Sequence, residues 1–130
     1  MQADVITEES IKVLVNNFYQ KVRDNAELGP VFDAAIGESE QDWEPHLERM
    51  YAFWSSIMLI SGRYHGNPMQ KHKDLPQFDE SLFDLWLSLF AETAYEVHTK
   101  PIAERYIDRS KRIAESLKLG LYYKPERIQK

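Results

Sequence analysis

Apolar residues recur along this chain at intervals of three and four, the spacing that gathers side chains on one side of an α-helix. From Thr7, a candidate cap, they fall at Ile11, Leu14, Val15, Phe18 and Val22, which predicts a first helix ending near Arg23 or Asp24. Leu28-Gly29-Pro30 then reads as a corner, since Pro cannot continue a preceding helix, with a short turn carrying Val31 and Phe32 after it. A second long helix is predicted from about Asp42, where Asp can cap and Glu44 suits the positive end of the dipole, to about Gly62. Its inward face is Trp43, Leu47, Met50, Phe53, Trp54, Ile57 and Met58. Gly62 to Pro76 holds two Gly and two Pro, too broken for one long helix but able to host a turn or two around His72. A third helix is predicted from about Phe78 to Val97, with Leu82, Phe83, Trp86, Leu87, Phe90 and Ala94 inward. The fourth opens with Pro101 in its first turn, presents Ile102, Tyr106, Ile113 and Leu117, and stops at Gly120. No segment alternates with a period of two between turns, so the expected class is all-α. Neither a repeat nor a low-complexity run interrupts it, and the polar tail from about Leu121 is expected to fray.

A chain of 130 residues with 43% hydrophobic content predicts one domain over 1–130, burying roughly two-thirds of the surface the unfolded chain would expose. The formal charge is -5 and basic residues are interspersed with acids, leaving no cationic stripe for a phosphate backbone, so no nucleic-acid partner is expected. Met-Gln-Ala-Asp at the N-terminus lacks a basic region and an apolar core, and no window approaches about 18 uninterrupted apolar residues. No membrane partner is therefore expected, and the expected location is the cytoplasm. The absence of cysteine agrees with that address and excludes thiolate-held clusters, thiolate-ligated haem and Cys-type zinc sites. His-Glu-x-x-His is absent, as are serine-nucleophile, phosphate-loop and dinucleotide fingerprints. What remains is imidazole chemistry.

His72 is the one imidazole in the stretch Gly66 to Pro76, which lies between helical patterns carrying all three tryptophans. Placed on a short connector facing aromatic helices, it can ligate haem iron; placed outward between Lys71 and Lys73, it is a solvent-exposed connector residue. Phe32, Met50, Phe53, Phe78, Phe83, Trp86, Leu89 and Phe90 could line the flat apolar slot a haem needs, or could equally form ordinary core. His46 precedes Met50 by four and Phe53 by seven, so it shares their inward face. Tyr19 follows Val15 by four and precedes Val22 by three, which puts its ring at the border of the first helix's buried face. A buried Tyr hydroxyl needs a partner, and the indole N–H of Trp86 is a donor only. Arg49 and Lys71 are candidate cations for haem propionates, with Arg63 and Tyr64 behind them. His65 and His98 read as surface residues, the latter near a helix C-terminus where a positive imidazolium is favoured.

Taken in order, Phe18-Tyr19, Leu28-Gly29-Pro30-Val31-Phe32, Ile36-Gly37, Trp43, His46, Phe53-Trp54-Ser55-Ser56, Gly62-Arg63-Tyr64, His72, Leu75-Pro76 and Trp86-Leu87-Ser88-Leu89-Phe90 resemble the group III truncated haemoglobins over nearly the whole chain. The double-glycine motifs of groups I and II are missing, as that branch would have it. The resemblance implies a shortened globin, a two-over-two helical sandwich gripping haem b, with His72 as the proximal iron ligand. It maps Tyr19, His46 and Trp86 onto the three polar positions above the iron. Oxygen, nitric oxide and carbon monoxide are then the implied ligands, and donors from this trio would hold oxygen tightly and release it slowly. Slow release suits chemistry on the gas: dioxygenation of nitric oxide to nitrate, or reaction with peroxide. Both need an external reductase or small reductant, because the chain carries no flavin or nicotinamide fingerprint of its own. A non-enzymatic sensor, storage or carrier globin is the alternative.

Overall fold

The structure, a computed structural model, describes residues 2–66 and 79–122. Among them lie five helices: α1 (Glu8–Asp24), α2 (Leu28–Ile36), α3 (Glu40–Leu59), α4 (Leu82–Val97) and α5 (Lys100–Tyr122). Their sole β-type pairing among the described residues is an isolated bridge between Ala3 and His98.

Thr7 caps α1 as expected, its side chain accepting from the Ser10 N–H while Ser10 answers the Thr7 N–H, so the free donors of the first turn are satisfied reciprocally. Leu28-Gly29-Pro30 is not a corner but the first turn of α2, where the missing N–H of Pro30 removes a donor that has no helical partner anyway. The Asn25 side chain accepts from the N–H groups of Glu27 and Leu28, so the turn between α1 and α2 occupies only three residues, 25–27. α3 starts at Glu40 rather than Asp42. Ser39 is its cap and Asp42 the reciprocal partner three residues on. It ends at Leu59, short of Gly62, with Ile60 left-handed at φ 55°.

α4 begins at Leu82 after a turn at 79–81, not at Phe78. α5 continues through Gly120 to Tyr122, because one glycine in a helix interior costs only about 1 kcal/mol against Ala. The tail beyond it lies outside the described residues.

α1 is the organising element: it packs on α2, α3 and α4, while α4 packs on α5. Its buried stripe is Ile11, Leu14, Val15, Phe18, Tyr19 and Val22, each at most 6% exposed, so all five apolar positions of the sequence pattern face the core. Lys21 ties the outer edge of this contact, its Nζ lying 2.7 Å from Glu92 and 2.8 Å from Glu96 on α4. α3 buries Trp43, Trp54 and Met58 as expected, together with Tyr51 and Ser55, while Leu47, Met50, Phe53 and Ile57 stay half-buried against the core. A second, smaller cluster of Phe83, Ala114 and Leu117 closes the far end of the α4–α5 pair, with Leu87 and Ile113 against it.

His98 is not a surface residue. The bridge to Ala3, with Ala3 N–H donating to the Val97 carbonyl and Thr99 N–H to the Ala3 carbonyl, lays the N-terminal segment across it, and the residue is 0% exposed. Among the described residues no helix is long and apolar enough to cross a membrane.

Candidate functional site

Tyr19 is where three helices meet. Its ring lies edge-on to the His46 imidazole of α3, with centroids 5.0 Å apart and planes at 88°, and contacts Trp43 of α3 at 5.8 Å and Phe32 of α2 at 6.0 Å. Phe18, its neighbour on α1, meets it at 4.9 Å. Edge-to-face contacts set the positive rim of one ring against the negative face of the next, which gives such a cluster a preferred geometry as well as buried area.

Trp43 is a wall of this cluster and not a donor into it. Its Nε1–H donates to the Gly37 carbonyl at 2.9 Å, the Arg23 guanidinium sits 4.7 Å above its ring, and Phe32 stacks on it at 6.4 Å. Gly37 has to be glycine here. At φ 122° it adopts a conformation L side chains avoid, and a Cβ would come within 2.3 Å of the Asp42 carboxylate.

Tyr19 is 6% exposed, and burial raises its pKa above the ordinary phenol value, so the group is a protonated O–H donor throughout the neutral range. No residue among those described accepts that proton in a hydrogen bond. Trp86, half-buried on α4, is joined to the cluster through Phe18, whose ring meets it at 5.3 Å and 88°. Its indole N–H likewise has no acceptor among the described residues.

Phe53 is half-buried near the end of α3, edge-on to Trp54 at 5.5 Å and to Tyr64 at 5.2 Å. Tyr64 is held there by its backbone N–H, which donates to Ser56 Oγ at 2.8 Å. Burial raises the Tyr64 pKa and the nearby Arg49 guanidinium opposes it, which brings Arg49, Phe53 and Tyr64 to one flank of α3. A Cβ at Gly66 would lie 2.4 Å from the Tyr64 hydroxyl, so a larger residue there would displace this ring.

The expected site residues thus separate into three sets. Tyr19, Phe32 and His46 share one cluster, with Trp86 linked to it and Met50, Phe53 and Leu89 half-buried against the same core. Phe90, 1% exposed, is interleaved between Trp86 and Trp54, while Phe83 packs in the second cluster with Ala114 and Leu117. His72, Lys71 and Phe78 lie outside the described residues.

Two features had no signal in the sequence. Phe18 connects Tyr19 to Trp86, although its spacing marks it only as core. Ser55, 0% exposed, donates to a Glu8 carboxylate oxygen at 2.6 Å and lies 2.7 Å from Ser61 Oγ, and Arg63 pairs with the other Glu8 oxygen. That network ties the start of α1 to the end of α3 between residues 47 positions apart, a separation no local pattern encodes.

Half-buried Phe32, Met50, Phe53, Trp86 and Leu89 each rest on the core with part of the side chain still exposed, beside two donors that have no acceptor among the described residues. A flat apolar group bordered by something that accepts hydrogen bonds fits that remainder. The cleft of about 450 Å³ between α1 and α3 is of mixed character, with the charged side chains of Arg23, Glu40, Glu44 and Glu48 beside Tyr19, Trp43, Leu47 and Tyr51.

No family model matches the chain. It is 38% identical over 122 residues to the group 3 truncated haemoglobin ctb of Campylobacter jejuni, an alignment that covers 94% of this chain and 96% of that protein. The crystal structure of a group III truncated haemoglobin from Campylobacter jejuni superposes with a TM-score of 0.91 at 37% identity, over 95% of this chain and 97% of that one.

Proposed function

This chain belongs to the group III truncated haemoglobins, and on that premise we propose that it holds haem b through His72 and performs oxygen, nitric oxide or peroxide chemistry beside Tyr19, His46 and Trp86. A haem-binding globin and the all-α truncated globin fold follow from membership itself. The reading beyond that rests above all on the pairing of buried Tyr19 with His46, next to a Trp86 donor, on the open side of an aromatic cluster.

Haem bound there would supply an iron centre that takes diatomic gases and exchanges electrons. The chain supplies the rest. The His72 imidazole would hold the iron, and Phe32, Met50, Phe53, Phe78 and Leu89 would cover the apolar faces. Arg49 and Lys71 would meet the propionates. Tyr19 O–H and Trp86 N–H point the chemistry toward acceptors, and a gas that gains partial negative charge on binding is such an acceptor. His46, in ring contact with Tyr19, sits where it can add a donor or control entry.

Two hydrogen bonds to a charged acceptor, each contributing about 2 kcal/mol, sum to about 4 kcal/mol. At about 1.4 kcal/mol per tenfold, that is nearly three orders of magnitude in affinity. A pocket that releases oxygen so slowly suits reaction more than delivery. With nitric oxide the product is nitrate; with peroxide the same donors pull on the O–O bond. An external reductase or small reductant restores the starting state in either case.

The test is an absorption spectrum after haem reconstitution, taken ferric, dithionite-reduced and reduced under carbon monoxide. Histidine-ligated spectra at one haem per chain are expected, followed by stoichiometric nitrate when the oxygenated protein meets nitric oxide. Absence of stoichiometric haem binding would overturn the whole reading. Haem binding with no nitrate and no reaction with peroxide would leave a carrier or sensor.

A further inference from the structure

The residues before α1 form a strap over the junction of α4 and α5. Ala3 donates its N–H to the Val97 carbonyl at 2.8 Å and accepts from the Thr99 N–H at 2.9 Å, and the Gln2 side chain donates to the Tyr95 carbonyl. His98 lies beneath, 0% exposed. Gln2, Asp4 and Val5 are exposed and Ala3 and Ile6 half-buried, so a few hydrogen bonds and a small apolar contact hold the strap down. Segments held so lightly open locally without unfolding the rest of the molecule. The strap also has a fixed hinge. The capping box at Thr7 closes α1, and the next residue, Glu8, is tied to Ser55 and Arg63, so residues 2–6 can lift while the helix stays in place.

Under the strap the core is polar. Both His98 ring nitrogens and the Tyr106 hydroxyl have no hydrogen-bond partner among the described residues. Such groups gain hydrogen bonds from water as soon as they are uncovered, and a buried imidazolium without a partner would cost far more than the neutral ring. Proton and cover therefore exclude one another. The charges of the neighbouring elements do not alter this. Tyr106 of α5, in ring contact at 5.0 Å, stays a neutral phenol because burial raises its pKa, and Arg105 acts on that phenol. Glu104 lies 3.5 Å from the Tyr95 hydroxyl, while Glu92 and Glu96 of α4 hold Lys21 of α1. Asp4 of the strap and Lys100 are exposed. None of them bears on the His98 imidazole, whose pKa burial alone lowers.

We propose that His98 and residues 2–6 form an acid-operated latch: in neutral solution the strap covers a neutral imidazole, and in mildly acidic solution a protonated His98 holds the strap open about Thr7 and bares the α4–α5 junction. With the strap open, His98 meets water and titrates near the ordinary value of about 6.5. With it closed, the value is lower. Between the two values each unit of falling pH raises the ratio of open to closed strap by roughly tenfold. Acid opens the latch and base closes it. The latch does not depend on haem, so its failure leaves the reading of the candidate site untouched.

The experiment is amide hydrogen exchange of the full chain, followed by nuclear magnetic resonance and corrected for the intrinsic effect of pH. Protection of the Ala3 and Thr99 amides should fall by roughly tenfold or more between about pH 7.5 and pH 5, while amides in the middle of α1 keep theirs. In His98→Leu that fall should vanish. In the unaltered protein the His98 ring resonances should titrate over the same range as the loss of protection, a check that does not require the variant to fold. Protection of Ala3 and Thr99 that is indifferent to pH, or that falls together with α1, overturns the latch. So does a fall that persists in His98→Leu, or one that is out of step with the His98 titration.

Discussion

The Tyr19 ring and the His46 imidazole meet in a T-shaped contact with centroids 5.0 Å apart and planes at 88°. This contact joins the middle of α1 to the second turn of α3, and it brings a buried phenol and an imidazole to one place although 27 positions separate them in sequence. With Trp43 committed to the Gly37 carbonyl, Tyr19 and His46 are the polar pair on this side of the cluster.

Removing the Tyr19 hydroxyl should therefore cost ligand stabilisation and little else. Tyr19→Phe keeps the ring contacts, so haem should stay bound, while loss of a bond worth about 2 kcal/mol should speed oxygen dissociation by roughly tenfold or more. Stopped-flow displacement of oxygen measures it. An unchanged off-rate would show that Tyr19 does not touch the ligand.

His72→Ala should weaken or abolish haem retention with helical content preserved, since the Gly- and Pro-punctuated sequence around it is too broken for one long helix. Titration with haem, followed by circular dichroism, separates the two effects. Retention of haem with a normal five-coordinate ferrous spectrum would remove His72 from the proximal role.

Burial of His98 makes stability depend on pH. Its pKa is lowered in the fold, so the unfolded chain binds the proton first. Above the unfolded value of about 6.5 the contribution is fully present, and as pH falls from there toward the lowered folded value it is progressively lost. His98→Leu should flatten that part of the urea-midpoint profile. A variant that loses stability with acid as steeply as the parent would place the dependence on other groups.

Ile60 closes α3 in a left-handed conformation at φ 55° with its side chain 88% exposed. A β-branched residue there carries about 1–2 kcal/mol of strain, against about 0.5–1 kcal/mol of extra chain entropy for glycine. Ile60→Gly should accordingly raise the free energy of unfolding, by up to about 1 kcal/mol, in denaturant melts. Destabilisation instead would mean that the exposed isoleucine packs against something it meets only in a larger assembly.

Helix existence was legible in the chain because each apolar stripe is a local, periodic property: Ile11 to Val22, Trp43 to Met58 and Phe83 to Ala94 face inward with little exception. Boundaries were less so. The corner at Leu28-Gly29-Pro30 became a helix start since Pro is as acceptable in a first turn as after a last one, and Ser39 outcompeted Asp42 as cap because Asp42 serves better as its reciprocal partner. Inward placement of Tyr19 and His46 was also readable from spacing, and the ordered resemblance assigned them a task.

What only the tertiary structure decided are the meetings between elements: Tyr19 with His46, Ser55 with Glu8, the Trp86–Phe90–Trp54 stack, and His98 under the N-terminal segment. His98 illustrates the reason. Its sequence neighbours say helix end, where solvent is the ordinary surrounding, but burial is set by whatever chain returns to cover it, and Ala3 returns from 95 residues away. Periodicity tells each helix which side to hide; which side chains then touch depends on crossing angles and cover that arise only when the helices pack together.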